Sequence, residues 1–256
     1  MKKSICIEKF FREVDFYDRF DCVGELNIEY VEFWYWSTRD IARIKALCQK
    51  NNLKIASMSG DKLYSPIINE ERKLYLGYLK ESLDRAKELG CENLVVHSNG
   101  MDENGNITCE GSNNHYEKKI ASMTRTFCEA AKLAENAGVT LVFEAVNTFT
   151  KPGYFVHQTH VSGDIARVVD SPNFKVLYDI WHMQQMEGNI VRTLTEYIDV
   201  LGYIHIGDVP ERNEPGTGEI NFSRIKRTLD ELGYNGIYGL ELEPSIPSKE
   251  SAKWSW

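Results

Sequence analysis

Apolar positions along the chain follow two alternating rhythms. Short runs rich in Val, Ile, Leu and aromatic residues recur at Ser4–Ile7, Tyr30–Trp34, Leu53–Met58, Leu94–Val96, Val139–Phe143, Phe174–Tyr178, Tyr203–Ile206 and Ile237–Leu242. Each has the length and composition of a strand. Between most of them the spacing widens to that of an amphipathic helix, as at Ile41, Ile44, Leu47 and Cys48, or Leu74, Tyr78, Leu83 and Ala86. The punctuation agrees with this alternation. Gly90, Gly138, Gly202 and Gly233 each end a helix-like segment shortly before a strand run, and Asn51-Asn52 does the same before Leu53. Glycine and asparagine accept the left-handed backbone that ends a helix and turns the chain back.

Eight strand–helix units in 256 residues leave about 32 residues for each, the size expected of a closed (β/α)8 barrel. An open doubly wound sheet usually carries fewer strands at this length. The expected fold is an α/β TIM barrel spanning residues 1–256 as one domain, since no Ser/Pro linker, charge block or internal repeat divides the chain. Three segments that follow strands are long and polar: Ser98–Lys118, Val146–His160 and Gly207–Asn221. Loops on the C-terminal face of such a barrel are where substrate sites are built.

Chemistry-bearing residues cluster at those same strand ends. Four consecutive strand runs close on a potential metal ligand, namely Glu144, Asp179, His205 and Glu241. A lone carboxylate at the end of an apolar run is costly to desolvate without a cation beside it. Rim salt bridges account for one such residue better than for four in succession. Three carboxylates and an imidazole suit one divalent ion, Mn²⁺ or Mg²⁺, with Co²⁺ or Zn²⁺ also compatible, and leave positions for a chelating substrate. His182, three residues after Asp179, is placed to polarise a carbonyl or bond a hydroxyl. Arg212, in the loop after His205, suits a carboxylate or a sugar hydroxyl. His97 and Glu32 end their own strand runs and complete the substrate-binding candidates.

Composition narrows the partners. With 30 Lys+Arg against 38 Asp+Glu the formal net charge is −8, which argues against a protein built to hold nucleic-acid backbones. No apolar stretch reaches the ~18 residues that cross a bilayer, and Glu8 and Lys9 interrupt the N-terminal apolar run too early for a signal peptide. Six cysteines without a C-x-x-C pair read as reduced thiols, so a cytoplasmic location is expected. Dinucleotide, phosphate-loop and Gly-x-Ser-x-Gly motifs are missing. The aromatic run Phe33–Trp36 suits the wall of a sugar pocket or the core, and any part left exposed suits a contact in a homo-oligomer.

Longer stretches carry a family likeness. The segments Tyr178-Asp179-Ile180-Trp181-His182-Met183-Gln184-Gln185-Met186-Glu187-Gly188 and Asp208-Val209-Pro210-Glu211-Arg212-Asn213-Glu214-Pro215-Gly216-Thr217-Gly218-Glu219-Ile220-Asn221, with Val31-Glu32-Phe33-Trp34 and Pro152-Gly153-Tyr154-Phe155, resemble the xylose-isomerase-like TIM barrels, specifically their hydroxypyruvate isomerase and ketose 3-epimerase branches. The resemblance spans nearly the whole chain. It implies an isomerase of a small sugar or hydroxy-keto acid, with Glu144 and Glu241 as catalytic pair and metal ligands. Asp179 and His205 would complete the coordination, and His182 and Arg212 would touch substrate. Two positions depart from the hydroxypyruvate isomerase pattern: His205 stands where Gln is usual, as in the epimerases, and Phe149 stands where Arg usually follows Asn-Thr. A ketose 3-epimerase is therefore the alternative. A sugar-acid lyase or dehydratase and an abasic-site endonuclease rank lower, the last because this chain lacks the Asp-x-His pair and the additional histidines of a three-zinc site.

Overall fold

Eight strands alternate with helices along the chain, described in a computed structural model for residues 1–102, 105–109 and 115–256. The strands are β1 (Lys2–Cys6), β2 (Tyr30–Glu32), β3 (Lys54–Ser59), β4 (Asn93–Val96), β5 (Thr140–Glu144), β6 (Phe174–Asp179), β7 (Leu201–Ile206) and β8 (Ile237–Leu240). The helices are α1 (Asp18–Gly24), α2 (Ile41–Asn51), α3 (Arg72–Leu89), α4 (Tyr116–Ala137), α5 (Thr159–Val169), α6 (Ile180–Met186), α7 (Ile190–Glu196), α8 (Phe222–Glu231) and α9 (Ser248–Ser251). All neighbouring strands pair in parallel, and β8 returns to β1 to close the barrel, with Ser4 opposite Gly239. The TIM barrel expected from the alternation is the fold observed. Part of the first long polar segment, residues 103–104 and 110–114, lies outside the described residues.

Strand periodicity organises the interior. Tyr30, Ala56, Val95, Val142, Leu177, Tyr203 and Ile237 form a cluster of their own within the barrel, whereas Val31, Leu94, Val96, Leu141, Phe143, Val176 and Ile204 belong to the larger core shared with the helices. Side chains alternate between the two faces of a strand. Two residues beyond the interior positions therefore come Glu32, His97, Glu144, Asp179 and His205, pointing inward at the C-terminal ends of their strands.

The helix stops mostly follow the expected chemistry. Gly90, Gly138 and Asn52 adopt left-handed backbone as caps of α3, α4 and α2, and Gly233 has φ +72°. Gly202 is different, because it lies inside β7. A Cβ there would meet Lys175 Cβ at 2.5 Å, so close approach to β6 explains the glycine. The buried face of α3 matches the expected one at Leu83 and Ala86, but in the first turns Tyr75 and Leu79 are buried while Leu74 is exposed. All six cysteines are free. Among the described residues no helix is long and apolar enough to cross a membrane.

Candidate active site

Glu144, Asp179, His205 and Glu241 meet at the C-terminal mouth of the barrel. All four are buried, and each offers one ligand atom within 4.8 Å of the others. Strand geometry brings them together: Glu144 and Asp179 are the last residues of β5 and β6, His205 on β7 pairs with Asp179 on β6, and Glu241 follows β8 directly.

Each carboxylate has one oxygen against a nitrogen group and the other toward His205, where Arg212 Nη2 also meets those of Asp179 and Glu241. Asp179 caps α6 with Oδ1, which accepts the His182 N–H at 2.9 Å, while Oδ2 faces His205 Nδ1 at 3.8 Å. Glu241 accepts the Trp34 indole N–H on Oε1 at 2.8 Å, and its Oε2 is 3.2 Å from His205 Nδ1. Glu144 has His97 Nε2 3.3 Å from Oε2, and its Oε1 faces His205 Nδ1 and His182 Nε2, each at 3.9 Å. Burial disfavours the charge on Glu241, but His205 and Arg212 outweigh it and hold the carboxyl well below its usual range.

His205 shows that a cation fits here. No aligned hydrogen bond from the described residues reaches either of its ring nitrogens, although both are buried. Nδ1 looks onto carboxylate oxygens of three residues, and Nε2 lies 3.2 Å from Glu32 Oε1. Burial opposes a charged ring, yet Glu241 and Glu32 push its pKa well up. A ring nitrogen and carboxylate oxygens of three residues converging on one buried point form an oxygen-rich donor set with one nitrogen, which a divalent ion could take up by displacing the ring proton.

Glu32 occupies an unexpected depth. It lies on the interior side of His205, where its Oε2 accepts the Tyr203 hydroxyl, and it is almost wholly buried rather than lining the open end. Gly239 makes room, since a Cβ there would come within 2.5 Å of both Glu32 oxygens.

His182 and Arg212 do line the centre. Asn147 Oδ1 accepts from the Phe149 and Thr150 backbone N–H groups and the Thr150 hydroxyl, which turns its amide toward His182. That amide lies 2.6 Å from His182 Nδ1, and the Asn147 backbone N–H also donates to Nδ1 at 3.2 Å. Nδ1 is thus the acceptor and Nε2 carries the proton, 3.8 Å from Asp179 Oδ2. Burial, reinforced by Arg212, lowers the His182 pKa to about 3, so this ring is neutral at physiological pH. Arg212 sends Nη2 to both Asp179 Oδ2 and Glu241 Oε2 and lays its guanidinium over the Trp181 ring at 4.8 Å. Its loop is pinned by Asp208, whose carboxylate accepts backbone N–H groups from Val209, Gly216, Gly218 and Ile220.

His97 contacts Glu144 through Nε2 and Asp61 through Nδ1, at 2.8 Å. Burial opposes its charge, but Asp61 and Glu144 raise the pKa to about 10. Asp61, Asn147 and Asp208 escaped the sequence reading. None ends a strand run, and an Asp or Asn in a polar loop carries no periodic signal.

Comparison with known proteins agrees with the fold. Hydroxypyruvate isomerase of Escherichia coli is 27% identical over 266 residues, covering 99% of this chain and 98% of the relative. A 2-oxo-tetronate isomerase of Haemophilus influenzae is 27% identical, over 95% of this chain and 94% of its own length. In structure the chain is similar to a family 2 AP endonuclease from Brucella melitensis (TM-score 0.89, 23% identity, 99% and 97% coverage) and to D-psicose 3-epimerase from Clostridium cellulolyticum (TM-score 0.76, 22% identity, 99% and 90% coverage). The model of the xylose isomerase-like TIM barrel family matches residues 20–255, and the chain belongs to that family.

Proposed function

We propose that this protein is a divalent-metal-dependent isomerase of a small hydroxy-carbonyl compound, hydroxypyruvate or a related oxo-acid, working by proton transfer between two glutamates. The observation that carries this reading is the convergence of Glu144, Asp179, His205 and Glu241 within 4.8 Å at the barrel mouth. These four would hold the ion, with Mn²⁺ or Mg²⁺ favoured by the three carboxylates and Co²⁺ or Zn²⁺ compatible with the imidazole. A bound ion would supply positive charge to oxygens of the substrate that become electron-rich as the proton leaves.

The remaining work belongs to the chain. Glu144 and Glu241 reach the centre from β5 and from the end of β8. One takes the proton from the hydroxyl-bearing carbon, and the other serves its return or transfer. Return to the neighbouring carbon isomerises the substrate. Return to the same carbon from the other face epimerises it. His182, neutral with Nε2–H directed at the centre, donates to a substrate oxygen. Arg212, fixed by Asp179, Glu241 and Trp181, carries a fixed positive charge for a second oxygen or a carboxylate. The buried setting keeps bulk water from competing for these donors.

A second reading, ketose 3-epimerase, draws on His205 and on Phe149. The Phe149 side chain is exposed beside Asn147 and brings no cation for a substrate carboxylate. Proton NMR in D₂O after incubation with Mn²⁺, the metal removed before reading, tests both. The panel contains hydroxypyruvate, 2-oxo- and 3-oxo-tetronates and common ketoses. Deuterium should enter a carbon next to the carbonyl, and the product distinguishes isomerisation from epimerisation. Glu241→Gln should lower turnover by orders of magnitude with the fold intact. Near-normal activity in that variant would overturn the assignment.

A further inference from the structure

A second chain of buried groups ends on Glu144 and starts outside the four converging residues. Asp61, two residues past β3, uses both carboxylate oxygens on His97. Its Oδ2 accepts the His97 backbone N–H at 2.6 Å, and its Oδ1 lies 2.8 Å from ring Nδ1. Tyr75, fully buried on α3, adds its hydroxyl to Oδ2 at 3.1 Å. The His97 ring is therefore clamped through backbone and side chain, with Nε2 3.3 Å from Glu144 Oε2.

We infer that Asp61 and His97 are a positioning pair for Glu144, holding Oε2 so that Oε1 alone faces His182, His205 and whatever binds between them. The other two carboxylates of the centre are also tied at one oxygen by a nitrogen donor, the His182 N–H on Asp179 Oδ1 and the Trp34 indole on Glu241 Oε1, with Arg212 Nη2 on their second oxygens. A carboxylate tied at one oxygen cannot rotate freely or turn both oxygens to a cation, so its plane and its basic atom are set before substrate arrives. His97 has both nitrogens committed to carboxylates, which makes it a support for Glu144 rather than a substrate ligand.

The inference rests on the proposed isomerase reading for its consequence in turnover, and the test separates the two. In Asp61→Asn the amide offers a donor where the ring now finds only acceptors, which breaks the clamp. We expect kcat to fall about 10- to 100-fold with KM little changed, and Mn²⁺ affinity measured by calorimetry to weaken about tenfold or more. His97→Gln, which keeps a donor for Oε2, should retain more turnover and Mn²⁺ affinity than His97→Leu at matched melting temperature. A structural role would instead make both losses follow melting temperature. In the metal-free protein a hydrogen-bonded His97 ring proton should appear downfield in the NMR spectrum and vanish in Asp61→Asn. Absence of that proton in the wild type overturns the pair. So does normal Mn²⁺ binding and kcat in Asp61→Asn. Wild-type protein that shows the ring proton but binds no Mn²⁺ and exchanges no proton refutes the isomerase reading and leaves the clamp standing.

Discussion

Gly239 lies on β8 opposite His205 and leaves the space that the Glu32 carboxylate fills. Gly239→Ala would set a methyl 2.5 Å from both Glu32 oxygens, the end of a side chain that the Tyr203 hydroxyl and the packed interior hold in place. The expected cost is about 1–3 kcal/mol in unfolding free energy, read from urea denaturation. An unchanged midpoint would mean that Glu32 moves aside freely. Residue-scale chemistry was unevenly legible. Alternation along a strand says which residues point inward, so Glu144, Asp179 and His205 could be named in advance. It does not say how deep an inward residue sits. Glu32 obeys the same rule but stands on the interior side of His205, because Tyr203 and the gap at Gly239 draw it down.

Elements make the mouth by tying loops to one another. In the segment after β7, Asp208 gathers four backbone N–H groups, and Glu214 reaches the chain beyond β8, accepting from the Ser245 backbone and hydroxyl at 3.1 and 2.7 Å. Burial raises the Glu214 pKa, but hydrogen bonds from Ser245 more than offset it and leave it below the ordinary glutamate value. A group lowered in the folded state stabilises the protein above its unfolded pKa, and that contribution disappears as pH falls through the folded value. Glu214→Gln should therefore cost about 1–2 kcal/mol at pH 7, with the difference from wild type shrinking below about pH 4. Parallel denaturation series at the two pH values check this, and a pH-independent difference would argue that the charge is irrelevant. The polar composition of this segment marked a loop but not its order, since Asp208 and its donors are separated by up to a dozen residues. Likewise the first turns of α3 buried Tyr75 and Leu79 rather than Leu74, because packing against β3, β4 and α4 settled which stripe was covered there.

At the scale of the whole molecule, a ligand bound only by the folded barrel raises its stability. If the four donors hold a metal, Mn²⁺ at a hundred times its dissociation constant adds about 2.7 kcal/mol, which for a chain of this size is roughly 5–10 °C in melting temperature. Calorimetric melting with and without EDTA measures it, and Asp179→Asn should abolish the shift. Identical melting curves for wild type in both conditions would sink the metal reading. The chain by itself determined the eight strands, the closed barrel and the four donors at its mouth, because these follow from periodicities that act over a few neighbouring residues. Tertiary structure alone decided which oxygen of each carboxylate faces the centre, that Asp61 reaches His97 across thirty-six positions, and that Glu32 lies inside rather than above. Such contacts depend on strand register and closure around the ring, and no local pattern in the chain encodes them.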